Sequence, residues 1–278
     1  MHPERHAAVV EQLIAWAHVT DEVLGIVGVG STSGERRPDR FSDHDVVIVT
    51  STDAEAARLR HDASLLPLGT QPLLAFTEPD HGLTVILADG HLLEFAICTP
   101  DDLGWFAADR HRVLFDRGPV AETLRDVLEA RARQGASDGA SAVEARMVAH
   151  YHHLLKEFIV AIARVGRGER ISAHRHLHAA AVDDLLVLVR ACVPCEAVGS
   201  EDPYDPARRL ERSHPAIARR LDAALAEPLE SAVRSLATVI REVLVPRLED
   251  AMDEHLDLIE ALLDQATAGH RSTVDVAR

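Results

Sequence analysis

Residues 28–50 read GVGSTSGERRPDRFSDHDVVIVT, and this stretch decides the fold. An apolar run ends on Gly30-Ser31, a polar loop follows, and from Ser42 the chain enters a valine-rich run led by two aspartates. That pattern predicts strand, glycine turn, loop and strand. Because side chains alternate along a strand, Asp43 and Asp45 fall on one face, with His44 and Val46 on the other. Two carboxylates on one face supply hard oxygen ligands. They suit Mg²⁺, which dehydrates reluctantly and is commonly held by one or two carboxylates together with substrate phosphates. Gly28 and Gly30 let backbone approach a ligand closely, and the Ser31 hydroxyl with neighbouring N–H groups can hold phosphate oxygens.

Outward from this stretch, 278 residues at 47% hydrophobic content give room for two domains, each with its own core. A net charge of −16 argues against a nucleic-acid partner, whose phosphates demand clustered Lys and Arg, and suits a cationic small molecule. No run is long and apolar enough to span a membrane. The opening MHPERHAAVVEQLIAWAH carries charges at helical spacing and no small-residue cleavage site, so it reads as a first helix over 3–18 of a cytoplasmic chain. Of the three cysteines, Cys192 and Cys195 form a C-x-x-C. It follows the end of an apolar helix, where the dipole disfavours a thiolate, and one pair cannot close a zinc site.

Downstream, the spacing predicts a helix over 53–61 and strands over 72–76, 83–88 and 91–97. Asp89-Gly90 joins the last two strands as a hairpin. The last strand carries one acid, Glu94, inside LLEFAI. A carboxylate there either faces water from an edge strand or is paired or metal-bound, since burying it alone is costly. After a helix over 121–133, the small polar run QGASDGAS at 134–141 marks a boundary between domains 1–134 and 142–264. Beyond it the chain reads as helical: 142–164, 171–192, short segments at 206–225, and a long helix from 230 that Pro246 kinks or divides. The tail 265–278 is expected to fray.

Gly30-Ser31, a loop, and Asp43-x-Asp45 opening a strand resemble the signature of the DNA polymerase β nucleotidyltransferase superfamily. FSDHD with the later DGHLLEFAI resembles, more narrowly, the streptomycin-type aminoglycoside adenylyltransferases. The resemblance covers about residues 20–100. It implies an α+β protein: a nucleotidyltransferase domain with a mixed β-sheet flanked by helices, followed by a C-terminal all-α helical bundle. It implies that the Glu94 strand lies beside the Asp43/Asp45 strand, and that Glu94 is the third carboxylate, where many members carry Asp. The three would hold two Mg²⁺ ions, with Gly30 and Ser31 seating the β- and γ-phosphates of ATP. The reaction implied is adenylyl transfer to a hydroxyl of a small cationic acceptor such as an aminoglycoside. Two other readings stay open: an antitoxin-like protein adenylyltransferase, and a non-catalytic nucleotide-binding module.

In the second half, Met147, Tyr151, Leu154, Phe158 and Ile162 form an apolar stripe, while His150, His153 and Glu157 share another line that reads as a solvated face. His174, His176 and His178 open the next helix, without the spacing of a transition-metal site. Arg170 and His176 form an R-x₅-H that resembles helical ribonuclease-like bundles, a pattern frequent by chance. Arg175 stands where streptomycin-type enzymes have an aspartate, which leaves Glu94, Glu157, Asp183, Asp184, His153 and His174 open as a general base. Lys156 is the one lysine among 29 basic residues. In kanamycin nucleotidyltransferase-like enzymes a lysine on the corresponding helix reaches the triphosphate, and the resemblance gives Lys156 that role; a compact ammonium binds phosphate as a point charge.

Overall fold

The valine run that follows the two aspartates is buried on both faces, which explains why it reads as continuously apolar rather than alternating. The computed structural model describes residues 3–34, 39, 42–79, 82–106, 110–137, 140–197 and 205–276. The chain divides into two compact units, Met1–Ser137 and Asp138–Arg278.

The first unit is a six-stranded mixed sheet in the order β3-β4-β5-β2-β1-β6. Its strands are β1 Val23–Val29, β2 His44–Thr50, β3 Leu74–Thr77, β4 Gly82–Ile86, β5 Leu92–Cys98 and β6 His111–Asp116. β1 and β2 are antiparallel, β2 and β5 parallel, and β4 and β5 form the antiparallel hairpin turned by Asp89-Gly90, with Gly90 at φ +79°. Period-two alternation splits the strands between two cores. Val46, Ile48, Leu93, Phe95 and Ile97 pack with Leu13 of helix α1 (Pro3–Val19) and Leu59 of α2 (Asp53–His61). Val47, Val49 and Cys98 pack on the other face with Val120 and Leu124 of α3 (Val120–Ser137).

The first of these cores contains a polar inclusion of three histidines. His6 of α1 stacks on His44 of β2 at 3.7 Å and 17°. The His44 Nε2 lies 3.0 Å from the His6 carbonyl, and its Nδ1 lies 2.6 Å from Nε2 of His91, which precedes β5. The His6 Nε2 in turn lies 3.1 Å from the Asp43 carbonyl. Burial pushes the His44 imidazole down to about 3 and lowers that of His6, so both rings are neutral at pH 7.

The second unit is helical: α4 Ala140–Gly166, α5 Arg170–Arg175, α6 Val182–Cys192, α7 Leu210–Ser213, α8 Pro215–Leu225, α9 Leu229–Val243 and α10 Asp253–Val276. Tyr151, Leu154, Phe158 and Ile162 of α4 are buried with the apolar faces of α6, α9 and α10. The helices run further than the expected spans. Helix reaches into the run 134–141 from both sides: α3 continues to Ser137 and α4 begins at Ala140, with 138–139 outside the described residues. A single glycine costs a helix only about 1 kcal/mol, which the Ala-rich flanks offset. The helix expected over 171–192 runs through from Arg170 to Cys192, with a π-helical turn, His176–Ala181, inside it. Pro246 does divide the long helix, between α9 and α10, and α10 runs on past residue 265 to Val276.

Two outcomes follow from this packing. A Cβ at Gly28 would sit 2.5 Å from the Thr32 carbonyl oxygen, a backbone atom, whereas one at Gly104 would meet nothing within 4 Å. Gly28→Ala should cost about 1–3 kcal/mol in urea unfolding, and Gly104→Ala less than about 0.5 kcal/mol. Equal costs would mean that β1 does not hold the turn so closely. The buried histidines make stability fall with acid. Their folded values lie below the ordinary 6.5, so the unfolded chain takes up protons first. Stability should be level above pH 6.5 and decline below it, by up to about 1.4 kcal/mol per pH unit for each histidine. A thermal midpoint that stays constant from pH 7 to about 5 would contradict the buried neutral network.

Candidate active site

The sheet brings three of the sequence-predicted residues together. In the parallel register of β2 on β5, Asp45 is the partner of Glu94. Strand alternation then places both carboxylates on the α3 face of the sheet, since their neighbours two residues on, Val47 and Ala96, pack in that core. Asp43 lies just before β2. Ligand oxygens of Asp43, Asp45 and Glu94 all fall within 4.8 Å of one another, and among the described residues this is the one such group of His, Cys, Asp or Glu side chains. The two aspartates are half-buried and Glu94 is exposed, so the group opens to solvent on the Glu94 side. β5 is an interior strand, and the edge-strand reading of Glu94 does not apply.

Gly30-Ser31 opens a 3₁₀ turn, Gly30–Ser33, directly beside this group. Gly30 sits at φ +56°, which favours glycine, and a Cβ there would come within 3.3 Å of the Asp45 Oδ2, so a side chain would also need that carboxylate to give by a few tenths of an ångström. The turn holds the aspartates by their backbones. The Ser31 hydroxyl donates to the Asp43 carbonyl at 2.9 Å, and the Asp45 N–H donates to the Thr32 hydroxyl at 3.2 Å. The Ser31 proton is thus committed to Asp43, and a phosphate contact at this residue falls to its backbone N–H or requires the hydroxyl to turn. Three hard carboxylates beside a glycine that leaves space fit a divalent cation such as Mg²⁺. Thr32, His6 and His91 belong to this neighbourhood, and sequence reasoning missed them.

Lys156 lies in the second unit, on α4, within a different constellation. Its ammonium is 2.5 Å from Glu157 Oε1 and 2.9 Å from His153 Nε2. The His176 Nδ1 is 2.6 Å from Glu157 Oε2. Asp184 takes His150 Nδ1 at 2.8 Å on one oxygen and His153 Nδ1 at 2.5 Å on the other. Glu157 and Asp184 are only 5% and 8% exposed, whereas the His150 and His153 side chains remain 39% and 49% exposed, so the line is solvated at its histidines and buried at Glu157, where His176 of the π-helical turn meets it. Burial alone would raise the Glu157 carboxyl, but the Lys156 and His176 bonds outweigh it and hold it below the usual range. Arg170 forms a two-pronged pair with Glu230 while His176 is taken by Glu157, so the R-x₅-H pair serves two different carboxylates. Cys192 and Cys195 are not joined in a disulfide. Among the described residues no helix is long and apolar enough to cross a membrane.

No protein-family model matches the chain, and no curated protein matches it. Among solved structures, an aminoglycoside 6-adenyltransferase from Bacillus subtilis is similar over 92% of this chain and 98% of that one, at 10% identity and a TM-score of 0.37. A nucleotidyltransferase-like protein from Exiguobacterium sibiricum 255-15 is similar over 93% of this chain and 88% of that one, at 15% identity and a TM-score of 0.31. Scores of this size leave the fold to be judged on the sheet itself. A Gly-Ser turn, an Asp-x-Asp strand with a carboxylate-bearing strand parallel beside it, and a helical unit following in the chain agree with the α+β architecture that the sequence resemblance implies.

Proposed function

We propose that the chain is an adenylyltransferase, moving AMP from ATP to a hydroxyl of a small cationic acceptor such as an aminoglycoside. The observation that carries this reading is the convergence of Asp43, Asp45 and Glu94 within 4.8 Å beside the Gly30–Ser33 turn. Asp43, Asp45 and Glu94 would hold two Mg²⁺ ions. Magnesium bound there supplies Lewis acidity, lowering the pKa of the acceptor hydroxyl and neutralising charge on the departing pyrophosphate. Gly30 keeps the turn clear for the β- and γ-phosphates, and Thr32 and Ser31 hold the two aspartate backbones still while charge moves. In the transfer the acceptor oxygen bonds to the α-phosphorus, the bond from that phosphorus to the β-bridging oxygen breaks, and the hydroxyl proton leaves. Glu94, the exposed carboxylate of the group, would take that proton. The resemblance gives Lys156 a charge-to-charge role on the triphosphate, for which it would have to release Glu157. The net charge of −16 favours a cationic acceptor.

The test is incubation with ATP and Mg²⁺ against aminoglycosides, polyamines, other small amines and a cell lysate, read by mass spectrometry for adenylylated product. A small cation should gain the adenylyl group, and Asp45→Asn should abolish the transfer with an unchanged circular dichroism spectrum. By calorimetry with Mg²⁺ present, Lys156→Ala should weaken ATP binding by about 1.5–3 kcal/mol, as for a hydrogen bond to a charged group, with Lys156→Arg recovering part of it. Product on lysate proteins alone would mean a protein modifier. ATP binding without any product would mean a non-catalytic module.

A further inference from the structure

The three-histidine inclusion ends on a residue of the carboxylate group, and its donor directions are fixed by chemistry. A backbone carbonyl only accepts, so the ring nitrogens facing the Asp43 and His6 carbonyls, at 3.1 and 3.0 Å, both carry hydrogens. His44 is fully buried, and a doubly protonated imidazolium there would be a buried charge; its Nδ1 is therefore a lone pair. The His91 Nε2, 2.6 Å away, must then be the donor. Hydrogen bonds thus run one way: His91 donates to His44, His44 to the His6 carbonyl, and His6 to the Asp43 carbonyl. That carbonyl also accepts from Ser31 at 2.9 Å, so both its lone pairs are taken. Asp43 precedes β2, where the sheet ladder does not hold it.

We propose that His91, His44 and His6 are positioning residues for the carboxylate site: a directional hydrogen-bond chain from the β4–β5 hairpin through α1 that fixes the Asp43 backbone, and with it the Asp43 carboxylate against Asp45 and Glu94. The proposal rests on the reading of those carboxylates as a metal site. None of the three rings touches metal or substrate in this scheme; each acts through the Asp43 peptide. Toward His44 the His91 ring uses Nε2, so a glutamine, whose amide N–H₂ reaches the ε position, can replace that donation, while leucine fills the space and donates nothing.

The experiment is calorimetric titration of the full chain with Mn²⁺, without nucleotide, for wild type, His91→Leu and His91→Gln, with urea unfolding run alongside. Outer partners of metal ligands commonly set affinity by about 10–100-fold. His91→Leu should weaken Mn²⁺ binding about tenfold, and His91→Gln should restore it to within about threefold of wild type. His6→Ala, which removes only the last donor and leaves the His44–His91 pair in place, should weaken binding similarly and decides the matter if His91→Leu does not fold. Wild-type affinity in folded His91→Leu or His6→Ala overturns the positioning role while leaving the metal reading intact. Weakening in His91→Gln as large as in His91→Leu overturns it too, because something other than donation to His44 would then be at work. Failure of the wild type to bind Mn²⁺ overturns the metal reading itself, and the positioning role with it.

Discussion

Three carboxylates whose oxygens lie within 4.8 Å of one another repel, and much of the first unit is arranged to keep them there. Asp45 and Glu94 are held side by side by the parallel ladder of β2 on β5. Asp43 is outside that ladder and depends on side chains: Ser31 from the turn and His6 from α1 both bond its carbonyl. Gly30 is there because any side chain would press on Asp45, and Gly28 because any side chain would displace the Thr32 peptide that carries the Asp45 contact. Like charges are assembled at a cost in stability, and such a cost is characteristic of sites whose charge is neutralised by what they bind.

The second unit solves a similar problem in the opposite way. Glu157 and Asp184 are more deeply buried than the aspartates of the first unit, yet Lys156 and three histidines satisfy them. That is the pattern of carboxylates paired within the protein, with less left over for a ligand. The contrast is what separates the exposed, converging carboxylates of the sheet from the interhelical ones as a candidate site.

The parts of this that could be read from the sequence are those governed by local rules. Asp43 and Asp45 share a face because strands alternate, Asp89-Gly90 turns a hairpin because glycine takes φ +79° there, and Pro246 ends a helix because it lacks a donor. What escaped depends on which element packs on which. His6, His44 and His91 are 38 and 47 residues apart, and nothing in their spacing announces that α1 lays one ring on another. The His150–His153–Glu157 line reads as solvated because a helix with one apolar stripe usually turns its other faces to water; His150 and His153 do keep partial exposure, while the packing of the π-helical turn and α6 on that line buries Glu157. The role of Ser31 was half legible. Its place beside the site follows from the motif, but its bond to the Asp43 carbonyl needs the turn's coordinates.

The central claim, that Asp43, Asp45 and Glu94 form a metal centre serving a nucleoside triphosphate, is tested most directly by anomalous diffraction. Crystals would be grown with Mn²⁺ and a non-hydrolysable ATP analogue, with data collected at the manganese edge. The account predicts anomalous peaks within bonding distance of all three carboxylates and of the analogue's phosphate oxygens. Nucleotide bound elsewhere on the chain, with no manganese at these carboxylates, would contradict it.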